Sequence, residues 1–307
     1  MKGLTMGWRR WKNLIVGIAA LSPIQASAAF GPDYGDFHNP RPVTTIGYDG
    51  DLMEPFISKD GRYLFFNNRN EPPERTDLYY AQRIDDVTFK FLGPLTGANS
   101  PALDAVASLD EAGNFYFVST RSYDGSLSTI YRGHFDAGAL SGVKIVAGVS
   151  PLIPGIVDFD AEISADGQTL YFSEGDFRGD GPKPQHVRLH VAKKVGEAFV
   201  RDRVGEWQVA AIQTGGVVYA PSISADGLEL FVTGVKAIAP GMTPQIYRAT
   251  RTGPAAAFGP LQRVTAATGF VEAPSLSADG RRLYFHRRVG NHLRLYEAER
   301  ASGQVAK

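Results

Sequence analysis

Five copies of one short pattern dominate this sequence: a polar start, an apolar run, a tight turn that is Asp-Gly in four copies, and an aromatic run. The copies read EPFISKDGRYLFF from Glu54, DAVASLDEAGNFYF from Asp104, DAEISADGQTLYF from Asp160, APSISADGLELFV from Ala220 and EAPSLSADGRRLYF from Glu272. Their turn glycines, Gly61, Gly113, Gly167, Gly227 and Gly280, are spaced by 52, 54, 60 and 53 residues. A period of this size indicates a repeat architecture in which each repeat is one propeller blade.

Each copy predicts two antiparallel strands joined by its turn. In the first copy, Ile57 closes one apolar run and Leu64 lies in the next, on either side of the turn. Aspartate accepts hydrogen bonds from the backbone two residues on, and glycine adopts positive φ without a Cβ clash. Turn geometry therefore explains the Asp-Gly pairs without a calcium loop, which needs a denser series of oxygen ligands.

A third strand follows in every unit, and a weaker fourth strand ends the first four. The third strands are marked by Leu78-Tyr79, Ile130-Tyr131, Leu189-His190, Ile246-Tyr247 and Leu295-Tyr296. The fourth strands are predicted as FLGPLTG from Phe91, VKIVAG from Val143, EWQVAAI from Glu206 and GPLQRV from Gly259.

The fifth unit is completed from the other end of the chain. Few residues remain after Tyr296, whereas the segment from Arg41 parallels the one from Leu261. An N-terminal strand in the last blade closes the ring and removes an open sheet edge. The sequence thus predicts an all-β, five-bladed β-propeller over residues 40–307, with a small core between each pair of blades.

The first residues read as a secretory signal. Lys2, Arg9, Arg10 and Lys12 precede a short apolar run, and Ala26-Ser27-Ala28 forms an A-x-A cleavage site. We therefore expect residues 1–28 to be a signal peptide, residues 29–39 a surface leader segment, and the mature protein to be periplasmic or secreted. No membrane span is expected after cleavage.

Charge and composition exclude several classes of function. The mature chain would hold 28 basic and 32 acidic residues, a net charge of −4 without a basic run, which disfavours nucleic-acid binding. With no cysteine, neither disulfides nor thiol catalysis is available. No phosphate-binding loop and no G-x-S-x-G elbow is present. We expect a monomer that uses no cofactor.

The repeat resembles the TolB-like β-propeller repeat. That family has a P-x-x-S-x-D-G-x-x-L-Y-F core, which matches Pro55 to Phe66, Pro221 to Val232 and Pro274 to Phe285. The resemblance covers nearly all of residues 40–300 and implies a propeller. Related propellers include periplasmic interaction proteins, the non-catalytic domains of peptidases and polysaccharide-active enzymes. TolB itself carries an N-terminal α/β domain, for which the sequence before residue 40 leaves no room.

Two sets of polar residues are expected at one face of the propeller. Because strand direction alternates within a blade, the start of the innermost strand and the connection from the second to the third strand lie on the same face. The strand starts supply Glu54, Asp104, Asp158, Asp160, Tyr219 and Glu272. The connections supply Arg69, Arg121, Arg178, Lys236, Arg287 and Arg288. Candidate ligand-binding residues are Arg69, Arg121, Tyr219, Lys236 and Arg287; for an enzyme, the candidate catalytic residues are Glu54, Asp104, Asp160 and Glu272.

These charges admit two interpretations. In the first, the acids pair with the arginines and tie blade to blade. In the second, they line a polar funnel for a carbohydrate, a peptide or another polar ligand, and glycoside chemistry would need two carboxylates about 5 to 9.5 Å apart. We predict a protein that binds a polar ligand or an envelope protein at the channel face. The alternative is a glycan-active hydrolase or lyase, so the sequence leaves enzymatic activity open.

The histidines favour structural roles. His186 and His190 lie in HVRLH, which lacks the H-E-x-x-H pattern, and His190 occupies the tyrosine position of the repeat. No metal site is expected. His286 directly follows Phe285, from where it can approach the channel.

Overall fold

The computed structural model describes residues 33–69, 76–179, 184–213, 216–235 and 243–301. The predicted signal peptide and Lys236 lie outside these residues. Within them, no helix combines the length and the apolar character needed to cross a membrane.

Five sheets form five blades, each with four strands in antiparallel pairing, which confirms the predicted fold class. From the centre outward, blade 1 contains β3 (Met53–Ile57), β4 (Tyr63–Asn67), β5 (Leu78–Arg83) and β6 (Thr88–Pro94). Blade 2 contains β7 (Asp104–Leu109), β8 (Asn114–Ser119), β9 (Ile130–Asp136) and β10 (Ala139–Ile145), with a short helix α1 (Tyr123–Ser126) between β8 and β9. Blade 3 contains β11 (Ile156–Ile163), β12 (Thr169–Asp176), β13 (His186–Val195) and β14 (Ala198–Arg201).

The last two blades complete the ring. Blade 4 contains β15 (Val217–Ile223), β16 (Glu229–Val235), β17 (Gln245–Thr250) and β18 (Gln262–Arg263). Blade 5 contains β19 (Val271–Leu276), β20 (Arg282–Val289) and β21 (His292–Glu299), with β1 (His38–Pro42) as its outer strand.

Serine and aspartate side chains build the turn after each innermost strand. In blade 1 the Ser58 hydroxyl donates to the Asp60 carboxylate at 2.6 Å, which also accepts from the backbone N–H of Arg62 at 3.0 Å. The three other close copies repeat the Ser-Asp hydrogen bond. In the degenerate second copy, Asp110 replaces the serine and caps two backbone N–H groups itself. The Asp-Gly signature is therefore explained by turn geometry.

The N-terminal strand closes the ring as predicted. β1 pairs antiparallel with β21, and the backbone N–H of Val43 donates to the Leu295 carbonyl at 2.8 Å. Arg41 adds an ion pair to the buried Glu297 at 2.9 Å. The chain then continues into β2 (Thr44–Ile46), which pairs parallel with β6 of blade 1, a feature that the repeat pattern did not predict.

Backbone hydrogen bonds between neighbouring blades also join their other outer edges. In each, a carbonyl near the end of one blade accepts from an N–H of the next. The carbonyl and N–H pairs are Thr96 with Leu140 of blade 2, Ala147 with Phe199 of blade 3, Gln208 with Phe258 of blade 4, and Arg263 with Tyr34, just before the outer strand of blade 5. Together with β2 and β6, these contacts make a belt of backbone hydrogen bonds around the propeller. The belt satisfies edge groups that would otherwise be open to other chains.

Apolar residues pack between blades rather than into one central core, as predicted. Separate clusters lie between blades 1 and 2, 2 and 3, 3 and 4, 4 and 5, and 5 and 1. Serine hydroxyls on the innermost strands add ties between neighbouring blades. Ser108, Ser222 and Ser275 each accept from a backbone N–H of the next blade at 3.0 to 3.1 Å.

Two sequence predictions are wrong in detail. The segment from Glu206 is not the outer strand of blade 3 but part of helix α2 (Arg203–Ala210), whose first turn is capped by Asp202. β14 supplies the outer strand instead. The described part of the leader is only partly at the surface, because Tyr34 and Phe37 are buried against blade 4 while its other described residues are exposed. Apolar burial in a closing segment outweighs its loop-like composition.

The buried leader gives a stability prediction. Phe37 is 2% exposed and its ring meets that of Phe231 edge-on at 5.9 Å. F37A should therefore lower the free energy of unfolding by about 3 to 5 kcal/mol, as measured by urea titration. I46A, in the following strand β2 and 52% exposed, should change it by less than about 0.5 kcal/mol. Equal effects of the two substitutions would contradict the packing of the leader.

Candidate functional site

Each innermost strand contains one residue with positive φ that breaks its register with the second strand. These bulge residues are Glu54, Val106, Asp160, Ala220 and Ala273, with φ between 49° and 56°. The register shifts at the same place in all five blades. All five bulge residues line one cavity at the centre of the ring, so the bulge turns this position toward the channel.

The bulges show that the candidate acids are not equivalent. Glu54 and Asp160 are bulge residues and line the cavity, whereas Glu272 lies one residue before its bulge and Asp104 two residues before. The sequence grouped these acids as strand starts, although Glu54 and Asp160 precede their turn glycine by seven residues, Glu272 by eight and Asp104 by nine, and every bulge residue lies seven residues before that glycine. Only Glu54, Asp160 and Glu272 are brought together.

A buried hydrogen-bond chain holds Glu272. The Tyr219 hydroxyl donates to Glu272 Oε1, and Glu272 Oε2 is 3.1 Å from Nε2 of His286. On its other side, His286 Nδ1 accepts the backbone N–H of Glu54 at 3.2 Å. The chain links blades 4, 5 and 1. It confirms that His286 approaches the channel, and it shows that Tyr219, a candidate for ligand binding, is buried and engaged within the protein.

Burial and nearby acids disfavour ionisation in this cluster. Burial raises the pKa of Asp160, and the Glu272 carboxylate raises it further. Burial also raises the pKa of Tyr219 well above its ordinary value, with further contributions from Glu272, Glu54 and Asp160. The backbone N–H of Ala220, which donates to Asp160 Oδ2 at 3.0 Å, acts in the opposite direction on Asp160. The cluster therefore resists a full set of negative charges.

Asp104 and Arg121, both candidate site residues, form a structural pair away from the cavity. The Asp104 carboxylate accepts from Arg121 Nη2 at 2.6 Å and from the backbone N–H and hydroxyl of Ser100 at 2.5 and 2.7 Å. The Arg121 guanidinium also stacks on the rings of Phe117 and Tyr131, at 5.3 and 5.1 Å. These contacts match the first interpretation of the charged residues, in which acids and arginines stabilise the fold.

A buried ion pair that sequence reasoning missed lies deeper in the channel. Lys59 Nζ of the blade 1 turn is 3.3 Å from Glu162 Oε1 of blade 3, and both side chains are at most 6% exposed. The Ser108 hydroxyl donates to the other Glu162 oxygen at 2.7 Å. Lys59 follows the end of β3, so this pair lies toward the Asp-Gly turns. The sequence signal for this ion pair was Lys59 itself, which stands in the first copy where the third, fourth and fifth copies have alanine.

An apolar cluster adjoins the cavity on the opposite, rim side. It includes Leu103, Val118, Phe159, Val217 and Tyr219 and shares Ala220 and Ala273 with the cavity wall. Phe177, from the connection after β12, packs against this cluster. Gly175 makes room for it, since a Cβ there would lie 2.7 Å from the Phe177 ring. The acids are thus enclosed on both sides.

The central cavity is small. It measures about 20 Å³, and Glu54, Asp160 and Glu272 are each at most 5% exposed. A volume of this size holds roughly one water-sized group. The predicted open funnel of acids facing a ring of bases is therefore not what the structure shows.

The rim of the channel face carries the remaining candidate bases. Arg287 stacks on Tyr296 at 4.3 Å and donates to the Thr268 hydroxyl at 3.1 Å, while Arg288 stacks on Phe270 at 4.0 Å. Within the described residues, neither guanidinium has a carboxylate within ion-pair distance, and Arg287 Nε has no hydrogen-bond partner. Arg69 is exposed on blade 1. Lys236 lies outside the described residues.

The remaining polar residues singled out in the sequence, Arg178, His190 and Asp158, make contacts within blade 3. Arg178 is held by a two-pronged ion pair to Asp176, at 2.9 and 2.6 Å. His190 stacks on Phe172, and its Nδ1 lies 2.8 Å from Glu206 of α2. Asp158 lies 3.5 Å from Arg201, and burial raises its pKa to about 6. These contacts attach α2 and the outer strand to the blade.

The burial of Asp160 generates a pH prediction. Its folded-state pKa is raised, so folding favours the protonated form and this contribution to stability declines as pH rises through the folded-state pKa. D160N keeps an oxygen for the Ala220 N–H but cannot ionise. The difference in unfolding free energy between D160N and the unsubstituted protein should shift in favour of D160N by at least about 1.4 kcal/mol from pH 5 to pH 8, which corresponds to one pKa unit. Urea titrations of both proteins at the two pH values measure this shift.

D166N, the same change on the exposed turn of blade 3, is the matched control and should show no such gain. Parallel pH dependence of D160N and the unsubstituted protein would contradict the enclosed carboxyl.

Comparisons with known proteins support the fold. No protein-family model matches the chain, and no curated protein matches it. Among solved structures, it is similar to a family 117 glycoside hydrolase from the marine bacterium Zobellia galactanivorans, with 12% identity, a TM-score of 0.57, and 89% of this chain and 92% of that one covered. It is also similar to an endo-arabinase from Bacteroides thetaiotaomicron, with 14% identity, a TM-score of 0.53, and 86% and 98% covered.

TolB structures are also among the similar folds. TolB from Acinetobacter baumannii matches at 14% identity and a TM-score of 0.46, over 81% of this chain and 55% of TolB. The chain thus spans about half the length of that TolB. The two glycoside-active structures, with TM-scores above 0.5, agree with the propeller, and identities this low show the fold alone.

Proposed function

We propose that this protein is a binding protein whose channel face receives a polar ligand through an acidic group of that ligand. The proposal depends on the rim formed by Arg287 and Arg288 with Thr268 and Phe270. Two guanidinium groups from consecutive residues of β20 stack on aromatic rings there and have no carboxylate partner among the described residues. Guanidinium groups fixed in this way suit carboxylate or phosphate recognition, because their N–H donors are held in place before the ligand arrives.

The cavity argues against the alternative, a glycan-active hydrolase or lyase. Glu54, Asp160 and Glu272 do come together, which is the observation that favours this second function. Hydrolysis, however, requires two carboxylates on either side of a bound sugar. A cavity of about 20 Å³ cannot seat a sugar ring, and its acids are enclosed by apolar residues on one side and by Lys59 and Glu162 on the other.

An array of acidic and neutral oligosaccharides and acidic peptides tests the binding function. The protein should bind acidic members, with an affinity that falls as salt is raised. R287A/R288A should weaken this binding at least tenfold, since each hydrogen bond to a charged group contributes about 1.5 to 3 kcal/mol. R281A, an exposed arginine on the opposite face of the same blade, should leave it unchanged.

A polysaccharide-degradation screen separates the two functions. The purified chain should release no reducing ends or unsaturated products from any member of the screen, and E54Q should bind the acidic members as the unsubstituted protein does. Turnover that E54Q or E272Q abolishes, in a protein that remains folded, would establish the enzyme instead.

We further propose that the protein acts in the periplasm or outside the cell after removal of residues 1–28. The basic and apolar segments that precede Ala26-Ser27-Ala28 support this proposal. N-terminal sequencing of the protein from its native host should begin at Ala29. A sequence that begins at Met1 or Lys2 would contradict export by cleavage.

A further inference from the structure

Blade 3 carries a helix that the repeat does not need. Its turn glycine, Gly167, is followed by the next one, Gly227, after 60 residues, whereas the other spacings are 52 to 54. The excess is close to the 8 residues of α2. Because β14 already supplies the outer strand of the blade, α2 is an addition to it. Insertions into single repeats often carry a binding surface, so α2 is a candidate for a role beyond closing the ring.

The two sides of α2 differ in composition. The inward side packs on the blade, and a Cβ on Gly205 would lie 2.6 Å from the Val191 side chain. Residues three and four apart share one side of a helix, and the exposed residues follow that spacing. They are Arg203, Val204, Trp207 and Ala210. Trp207 is 60% and Val204 61% exposed, so the outward side presents a large aromatic ring and a branched aliphatic side chain to solvent.

The hairpin of β13 and β14 extends this side of the blade. Lys193 pairs with Val200, and Lys193 lies two residues from Val191, the residue on which α2 packs. Side chains two residues apart on a strand point to the same face, so Lys193 and Val200 lie on the face that carries α2. Both are exposed. The Trp207 surface is defined here as Lys193, Val200, Arg203, Val204, Trp207 and Ala210.

The charges of the Trp207 surface are positive. Within the part of the chain that the structure describes, neither Arg203 nor Lys193 has a carboxylate within ion-pair distance, and both are exposed. The acids of the same segment are engaged elsewhere. Asp202 caps the first turn of the helix, and Glu206 Oε1 lies 2.8 Å from His190 Nδ1. The surface therefore combines apolar side chains with bases and is complementary to an anionic partner.

Size and chemistry select the kind of partner. A helix of 8 residues is about 12 Å long, whereas a stable protein interface buries about 800 Å² on each partner, more than one side of such a helix offers. A second copy of the chain would bring the same bases face to face. Tryptophan is enriched where lipid chains meet headgroups, and lysine and arginine are attracted to anionic headgroups.

We propose that the Trp207 surface docks the protein on an anionic lipid surface. Trp207 and Val204 enter the headgroup region, while Arg203 and Lys193 contact lipid phosphates. Each base near such a surface contributes about fivefold in affinity. The contact is peripheral and reversible, because one side of a two-turn helix supplies little apolar area. It is separate from the rim, so the proposed ligand-binding function does not depend on it.

The fluorescence of Trp207 tests the proposal. Trp8 and Trp11 precede residue 29, so Trp207 is the only tryptophan in the chain from Ala29, which contains every described residue. Vesicles of phosphatidylglycerol and phosphatidylcholine should shift its emission to shorter wavelength, and lipids brominated in their acyl chains should quench it. Pure phosphatidylcholine vesicles and inorganic phosphate should do neither. Added salt should weaken the binding.

Variants in a vesicle sedimentation assay locate the contact. K193Q/R203Q and W207S should each weaken binding at least tenfold, through loss of two bases and of the aromatic ring. I84S, at an isoleucine that is 58% exposed on blade 1, and R281Q, at an exposed arginine of blade 5, are the matched controls and should bind normally. Far-UV circular dichroism checks that each variant is folded.

Three results would overturn the proposal: no binding to anionic vesicles, equal binding to both kinds of vesicle, or binding that leaves the emission of Trp207 unchanged. An emission shift that grows with protein concentration without lipid would assign the surface to a second copy instead. A shift with polyglutamate but not with vesicles would assign it to an acidic protein.

The rim is judged separately. R287A/R288A should leave vesicle binding and the Trp207 shift intact, whereas W207S should leave the binding of acidic ligands at the rim intact. Vesicle binding that R287A/R288A abolishes and W207S does not would place the lipid contact at the rim and remove this inference.

Discussion

The structure depends on the pairing of one N-terminal segment with the far end of the chain. Between Tyr34 and Ile46, the backbone pairs in turn with blade 4, blade 5 and blade 1. Without this segment, the last blade would lack its outer strand and the belt of edge hydrogen bonds would be broken at two places. With it, five small inter-blade clusters act as one closed structure in a chain that has no cysteine. The ring fixes how closely the innermost strands approach one another at the centre.

That close approach determines the chemistry of the channel. Because every innermost strand bulges at the same level, five side chains are turned into a space of about 20 Å³. Two of them are acids, and a third acid reaches the same cluster through Tyr219 and His286. Carboxylates in such a space are separated from bulk water. The stacked arginines lie apart from these acids, at the rim.

The sequence predicted the architecture well because short local sequence patterns define the repeat. The Asp-Gly turns, the aromatic second strands and the parallel between the segments from Arg41 and Leu261 identify five blades and their closure. Local patterns failed where a longer-range contact decided the outcome. Asp202 caps a helix in the place expected for the outer strand of blade 3, and Phe37 is buried by a blade distant in sequence.

The site was predicted less well for the same reason. The sequence selected Glu54, Asp104, Asp160 and Glu272 as acids at the strand starts, but only the bulge position, seven residues before the turn glycine, faces inward, and Asp104 and Glu272 do not occupy it. Asp104 consequently pairs with Arg121, and Tyr219 is buried rather than presented to a ligand. The Lys59–Glu162 pair depends on a contact between blades, which no single copy of the repeat records.

Carboxyl footprinting of the native protein, with a carbodiimide, an amine nucleophile and mass spectrometry, tests the enclosed channel most directly. Glu111 and Asp124, both exposed, serve as internal references. The account predicts that these two residues are modified rapidly, while Glu54, Asp160 and Glu272 stay unmodified until the protein is unfolded in urea. Modification of Glu54 and Asp160 in the folded protein at the rate of Glu111 would show an open, solvent-filled funnel and would contradict the account.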